Sequence, residues 1–192
     1  MTELTFLGIS GSLRAGSHNS ALVAAAAELA PPGITVQRYG RLRDIPPYDA
    51  DQDGPAPPEP VADLRARIAA ADGLLIATPE YNSSMPGVLK NALDWGSRPK
   101  DASVLSGKPV ATLGAASGTS GTIRAQLALR QVWVWTGSPA VVKPEVHVFR
   151  AAEHFDERGR LSHPATRAQV RALLAALREL VLRERVALGR AT

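Results

Sequence analysis

Five short runs of apolar residues recur along the chain, and segments with helical periodicity separate them. The apolar runs read LTFLGI, ITVQRY, GLLIAT, PVATLGA and PAVVKPEVHVF. The segments between them read NSALVAAAAELA, VADLRARIAAAD, MPGVLKNALDWG and GTIRAQLALRQVWVW. This alternation predicts an α/β fold with a mainly parallel sheet. Because GLLIAT is continuously apolar, we expect helices on both faces of that sheet.

The last segment of the chain predicts one further helix. Pro164 suits the first turn of a helix, and the apolar positions that follow recur at helical spacing: Val170, Leu173, Leu174, Leu177, Leu180 and Val181. Packing on the sheet is the favoured interpretation, and a membrane or partner helix is the alternative.

The segment RDIPPYDADQDGPAPPEP interrupts the alternation. Its proline, glycine and aspartate content excludes a regular element, and a loop of this length inside a compact domain is often functional. A flexible linker is the alternative. Since the strands on either side belong to one sheet, we expect a loop that forms a wall near the carboxyl ends of the strands.

Length and composition favour one domain that spans residues 1–192, since 45% of the residues are hydrophobic. The chain has no cysteine, and its four histidines lack the spacing of metal ligands, so neither thiol nor metal chemistry is expected. No signal peptide is apparent and no apolar run approaches the roughly 18 residues that span a bilayer, which predicts a cytoplasmic protein without membrane contact. The net charge of +4 comes from scattered arginines, so nucleic-acid binding is not expected either.

The stretch GISGSLRAGSHNS predicts a turn between the first strand and the first helix. A helix amino terminus after a parallel strand offers free N–H groups and the positive end of the helix dipole to an anion. Hydroxyl, amide and guanidinium donors of the turn suit a phosphate monoester: Ser10, Ser12, Arg14, Ser17, Asn19 and Ser20. Neither the nucleoside-triphosphate loop nor the GxGxxG fingerprint matches, so we expect a phosphate that is held and not transferred. Ordinary helix capping is the alternative for such a turn.

Two further turns follow apolar strands. TPEYNSSMPG comes after GLLIA, where Tyr81 and the turn backbone can face a planar ligand, and GAASGTSGTIRAQ combines glycine, serine and threonine before the next helix. Ligands of open α/β sheets bind at the carboxyl ends of the strands, so the three turns are expected to line one crevice.

The motifs GSLRAGSHN, TPEYN and PGVLKNALDW, in this order, resemble the NADPH-dependent FMN reductase family, and the resemblance extends over nearly the whole chain. It implies a flavodoxin-like three-layer sandwich with a five-stranded parallel sheet and non-covalently bound FMN. The implied cofactor-binding residues are Ser12, Arg14, Ser17, His18, Asn19 and Ser20 in the first turn, Pro79, Glu80, Tyr81, Asn82 and Ser83 in the second, and Ser117 and Gly118 in the third. Ser83 and the pair Thr119 and Ser120 stand where the family usually has glycine, so they are expected to narrow the pocket or to require a different backbone angle.

The resemblance also implies a reaction. NADPH or NADH delivers hydride to FMN, and a small-molecule acceptor such as a quinone, azo compound, metal oxyanion or free flavin is then reduced; no catalytic acid or base is assigned. A flavodoxin-like electron carrier and a non-catalytic flavin sensor are the alternatives. The positive net charge disfavours the carrier, whose surface is usually acidic. A homodimer or homotetramer is expected, and the three tryptophans are expected in the core or at an interface.

Overall fold

All five strands of the sheet run parallel. In the computed structural model, which describes residues 3–189, the strands are β1 (Leu4–Ser10), β2 (Ile34–Tyr39), β3 (Gly73–Ala77), β4 (Val110–Ala115) and β5 (Val146–Val148). They are ordered β2-β1-β3-β4-β5. This is the flavodoxin-like strand order, so the predicted sheet and its class are confirmed.

The fifth strand is much shorter than its apolar run suggests. Only Val146–Val148 pairs with the end of β4, and Ala140 adds an isolated bridge to Val110. Pro144 lies between these two pairings and has no N–H to donate, so a continuous ladder cannot form across it.

The five predicted helices are present as α1 (His18–Leu29), α2 (Glu59–Ala70), α3 (Gly87–Gly96), α4 (Ile123–Thr136) and α5 (Pro164–Ala187). Helices α1 and α5 pack on one face of the sheet, and α2, α3 and α4 pack on the other. The predicted apolar residues of α5 are buried against the sheet, which confirms that packing. Among residues 3–189, no helix is both long and apolar enough to cross a membrane.

Two glycines allow close packing around the first turn. A Cβ atom built on Gly8 would lie 2.5 Å from Cγ1 of Val23 in α1, and one on Gly11 would lie 2.9 Å from Cδ2 of Leu89 in α3. Neither glycine has a positive φ. Lack of space, and not backbone conformation, therefore favours glycine at these two positions, more strongly at Gly8, because Val23 is β-branched whereas the end of the Leu89 side chain can move.

The proline-rich segment is fastened to α2 and α3. Arg65 of α2 forms an ion pair of 2.6 Å with Asp53, and both side chains are nearly buried. The Pro46 carbonyl accepts hydrogen bonds from Asn91 and Trp95 of α3, at 2.8 and 2.9 Å. Arg43, at the start of this segment, lines a cavity beside the turn that follows β1, whereas Tyr48 and Asp53 are bonded to α3 and α2.

Candidate functional site

Three loops at the carboxyl edge of the sheet border a single cavity of about 600 Å³. They follow β1, β3 and β4, as the sequence predicts. Twelve of the thirteen predicted site residues line this cavity, all except Ser20, which lines a second cavity beside it. Four lining residues were not predicted: Ala115, Ala116, Ser120 and Arg124.

The first loop presents free donors at the start of α1. Ser17 caps the helix, and its hydroxyl accepts the N–H groups of Asn19 and Ser20 at 3.2 and 3.3 Å. Within residues 3–189, the N–H groups of Gly16, Ser17 and His18 donate to no acceptor. Together with the helix dipole, these groups present the kind of donors that anions bind at a helix amino terminus.

The hydroxyls of the first loop organise its backbone. Ser10 Oγ accepts the N–H of Ser12 at 3.3 Å and the hydroxyl of Ser20 at 3.0 Å. Ser12 Oγ in turn accepts the N–H of Arg14 at 3.3 Å. The Arg14 side chain is exposed and belongs to no ion pair among the described residues, so its guanidinium is available to an anion.

The Asn19 side chain holds two loops together. Its Nδ2 donates to the Ala115 carbonyl and its Oδ1 accepts the Ala115 N–H, both at 2.9 Å, and the residue is buried. The Asn19 side-chain amide therefore fixes the start of α1 to the end of β4. Its place in the sequence, at the second position of a helix, does not reveal a partner 96 residues away.

The second loop contains a tight turn. The N–H of Tyr81 donates to the Ser84 carbonyl at 2.9 Å, and the reverse bond is 3.0 Å. Between them, Asn82 has φ +47° and Ser83 has φ +62°. The sequence predicts an unusual backbone angle at Ser83, where the family usually has glycine. The observed angle is left-handed, a conformation that costs serine free energy relative to glycine. The Tyr81 side chain is 52% exposed and is the one aromatic residue of the second loop beside the cavity.

Glu80 connects the second loop to the third. Its carboxylate accepts the backbone N–H groups of Arg124 and Ala125 at 2.9 and 3.3 Å, and Arg124 Nε at 2.7 Å. It thereby caps α4, whose preceding residue Thr122 supplies no side-chain cap. Burial raises the pKa of the Glu80 carboxyl, but the Arg124 guanidinium and the two N–H groups outweigh burial and hold the pKa below its ordinary value.

The third loop exposes Ser117 and Gly118 on the cavity. The Gly118 carbonyl is held by the Arg150 N–H at 2.9 Å. Of the two departures from glycine here, Ser120 lines the cavity, whereas Thr119 lines a separate cavity near Phe149. Of these two residues, Ser120 is therefore the one whose side chain can narrow the cavity shared by the three loops.

His18, at the first position of α1, also lines the cavity. Its ring stacks on Phe155 with centroids 4.8 Å apart. Burial and the nearby Arg14 guanidinium lower the pKa of His18 below its ordinary value, which favours a neutral imidazole at neutral pH.

The tryptophans lie outside the cavity. Trp95 and Trp133 are buried in the core, and Trp135 is 81% exposed on α4. The expectation that they serve packing or contacts, and not ring stacking in the cavity, agrees with these positions.

The strand order and the three loops define a flavodoxin-like flavoprotein, and the free N–H groups beside an exposed tyrosine fit a phosphate joined to a flat ring system. The family model for NADPH-dependent FMN reductases matches residues 4–153. The chain belongs to the NADPH-dependent FMN reductase family.

Individual relatives agree with this assignment. An NAD(P)H-dependent FMN reductase of Pseudomonas aeruginosa is 46% identical over 183 residues, which cover 95% of this chain and 98% of that protein. A 2-hydroxy-1,4-benzoquinone reductase of a Burkholderia species is 43% identical over 157 residues, which cover 82% and 85%. The solved structure of the flavoenzyme FerB of Paracoccus denitrificans, an NAD(P)H:(acceptor) oxidoreductase, superposes with a TM-score of 0.85 at 31% identity, covering 94% and 98%.

Proposed function

We propose that this protein is an FMN-dependent NAD(P)H oxidoreductase that reduces quinones or similar small acceptors. The observation that carries the proposal is the single cavity shared by the three loops, which is bordered both by the start of α1 with its free N–H groups and by Tyr81. The names of the relatives support both halves of the reaction, since they include an FMN reductase and a benzoquinone reductase.

In the proposed site, the first loop holds the FMN phosphate through the N–H groups of residues 16–18, the Ser12 and Ser17 hydroxyls and the Arg14 guanidinium. Residues 79–83 and residues 117–118 would border the isoalloxazine ring. FMN held there would supply the redox chemistry between the nicotinamide and the acceptor. The protein's own contribution is to bind, orient and shield the rings.

Asn19 and Glu80 act as positioning residues in this proposal. Asn19 fixes the first loop to the third, and Glu80 fixes the second loop to the third, so the three walls keep one relative geometry. The titratable residues that line the cavity are Arg14, His18, Glu80, Tyr81 and Arg124. Since the Glu80 carboxylate is engaged by Arg124, no free carboxylate is assigned as a proton donor.

An anaerobic titration tests the proposal. The protein is loaded with FMN, freed of unbound flavin and mixed separately with NADPH and NADH while the flavin absorbance is followed. Bleaching of retained flavin, and its recovery after a benzoquinone is added, is the expected result. Retained flavin that neither nucleotide bleaches would favour the electron carrier or the sensor, and a protein that retains no FMN would contradict the proposed ligand.

A homodimer is the proposed assembly. Helices α3 and α4 border an open groove of about 710 Å³, and Val134 and Trp135 of α4 are 84% and 81% exposed. Light scattering of the protein and of Trp135→Glu tests this: a dimer that the substitution converts to monomer supports it, and a monomeric parent protein overturns it.

The proposal treats residues 1–192 as one reductase domain, because the described helices all pack on one sheet. Location in the cytoplasm stays a prediction from the sequence.

A further inference from the structure

A second cavity opens beside the first loop, between the ends of β1 and β2. Its volume is about 440 Å³. The side chains around it include three guanidinium groups and three hydroxyls: Arg14, Arg38, Arg43, Ser10, Ser12 and Ser20. None of its lining residues is an aspartate or a glutamate. We call this cavity the arginine cleft.

The arginines of the cleft come from three separate segments and carry uncompensated charge. Arg14 lies in the first loop, Arg38 in β2 and Arg43 in a 3-10 turn, Leu42–Asp44. Within residues 3–189, none of the three forms an ion pair with a carboxylate. Their neighbour Arg41, in contrast, pairs with Glu59 at 2.6 Å and with Asp44 at 3.3 Å. The nearby acidic groups thus neutralise Arg41 and leave the cleft positive.

The cleft is partly organised without a ligand. A terminal nitrogen of Arg43 donates to the Leu13 carbonyl at 2.7 Å, which fixes the guanidinium against the first loop and leaves its other donors free. The Ser20 hydroxyl donates to Ser10 at 3.0 Å. A phosphate that enters therefore meets a guanidinium already held at the wall of the cleft.

The arginine cleft adjoins the cavity shared by the loops after β1, β3 and β4, which we call the flavin cavity. The two cavities are distinct. The two share Ser12 and Arg14, but only the flavin cavity includes Ser17 and His18 at the start of α1. The loops around the flavin cavity follow β1, β3 and β4, whereas β2 lies on the opposite side of β1. Because Ser12 and Arg14 border both cavities, the cleft is the basic surface next to a nicotinamide nucleotide bound at the flavin cavity.

We infer that the arginine cleft binds the 2′-phosphate of NADPH and that Arg38 and Arg43 make the protein prefer NADPH to NADH. The inference rests on the proposed reductase function. A phosphate monoester carries close to two negative charges at neutral pH, and the planar guanidinium matches its oxygens with paired donors. NADH has a neutral hydroxyl at this position, which leaves the charges of Arg38 and Arg43 without a partner; Arg14 is shared with the proposed FMN phosphate site.

Calorimetry on the FMN-loaded protein provides a readout that does not depend on turnover. We expect 2′,5′-ADP to bind at least tenfold more tightly than 5′-AMP. Arg38→Ala and Arg43→Ala should each lower the affinity for 2′,5′-ADP about tenfold and leave the affinity for 5′-AMP unchanged. Arg171→Ala is the matched control, since Arg171 is an exposed arginine of α5 that does not line the cleft, and it should change neither affinity. Inorganic phosphate that binds as tightly as 2′,5′-ADP would overturn the inference, because the cleft would then be a general anion site.

Steady-state kinetics with both nucleotides separates this inference from the proposed function. We expect Arg38→Ala to lower kcat/KM for NADPH about tenfold and to leave kcat/KM for NADH unchanged. Equal kcat/KM values for NADPH and NADH in the parent protein would overturn the inference about the cleft and leave the reductase function intact. An equal loss of kcat/KM for both nucleotides in Arg38→Ala would do the same. Flavin that neither nucleotide reduces overturns the reductase; in that case, Arg38-dependent binding of 2′,5′-ADP still supports the cleft as a 2′-phosphate site.

Discussion

Glu80 and Arg124 bind each other twice, once through the backbone and once through the side chains. The Glu80 carboxylate accepts the Arg124 N–H at 2.9 Å and the Arg124 Nε at 2.7 Å, although 44 residues separate the two along the chain. The Glu80 side chain is only 6% exposed, whereas that of Arg124 is 57% exposed. The end of β3 thereby supplies the cap for α4, and two walls of the flavin cavity are joined at this point.

Replacement of Glu80 by glutamine should destabilise the protein. The substitution keeps the shape but removes the charge at the helix terminus and weakens the bonds to Arg124, so we expect a loss of about 1–2 kcal/mol in the free energy of unfolding. Urea denaturation measures the loss, and a fluorescence titration should show weaker FMN binding. Asp94→Asn is the control, because Asp94 forms an exposed pair with Lys90 and should change stability by less than about 0.5 kcal/mol.

The same substitution predicts a pH dependence. Because the pKa of Glu80 is lowered in the folded protein, the carboxylate contributes its full stability above its ordinary value of 4.5 and loses that contribution as the pH falls through the lower folded value. The stability difference between the parent protein and Glu80→Gln should therefore shrink below pH 4.5. A difference that stays constant from pH 7 to pH 3 would contradict the assigned role of the charge.

Glycine at position 83 should stabilise the protein. Ser83 has φ +62°, a conformation that costs serine roughly 1 kcal/mol and costs glycine little. We expect Ser83→Gly to raise the free energy of unfolding by up to about 1 kcal/mol. Its neighbour Ser84 has no positive φ, so Ser84→Gly should be neutral or destabilising; equal effects of the two changes would show that backbone strain at position 83 is not the cause.

Loss of the Asn19 amide should affect both stability and the cofactor. Asn19→Ala removes two buried hydrogen bonds to the Ala115 backbone, which costs about 2–4 kcal/mol. We also expect weaker FMN binding, because the first and third loops lose their connection. Ser20→Ala removes only the hydrogen bond to the Ser10 hydroxyl, so thermal denaturation should show a clearly smaller loss of stability. Similar losses of stability in the two variants would argue against the role of Asn19 in joining the two loops.

A methyl group at position 8 should collide with α1. The Cβ atom of Gly8→Ala would lie 2.5 Å from Cγ1 of Val23, so we expect a destabilisation of about 1–3 kcal/mol. The double variant Gly8→Ala, Val23→Ala should recover part of that loss if the contact is its cause. Gly54→Ala serves as the control, since no atom lies within 4 Å of the added Cβ.

Acid should weaken the attachment of α5. The His154 ring accepts or donates a bond to the Thr166 hydroxyl at 2.8 Å and lies 4.4 Å from the His163 ring. Burial and the proximity of His163 lower the pKa of His154, so its contribution is full above the ordinary value of 6.5 and declines as the pH falls below it. Denaturation between pH 8 and pH 5 should show a flatter pH dependence in His154→Gln; parallel curves would contradict this role.

The sequence allowed the main features of the site to be predicted because the signals are local. A strand followed by small polar residues and a helix is recognisable within about twenty residues, and this pattern occurs after β1, β3 and β4. The roles of Asn19 and Glu80 were not predictable in the same way. Their partners, Ala115 and Arg124, lie 96 and 44 residues away, and spacing along the chain carries no information about such pairs.

Local periodicity by itself determined the number and order of the elements and their mainly parallel arrangement, because apolar spacing and turn chemistry act over short stretches. The flavodoxin-like class was implied by the resemblance of three short motifs to a known family. Only the tertiary structure decided that β5 is reduced to three residues, that Thr119 leaves the flavin cavity while Ser120 lines it, and that Arg14, Arg38 and Arg43 meet in one cleft. Each of these depends on which strands become neighbours at the carboxyl edge of the sheet. That choice follows from packing among distant segments, and it places charges together that the sequence scatters.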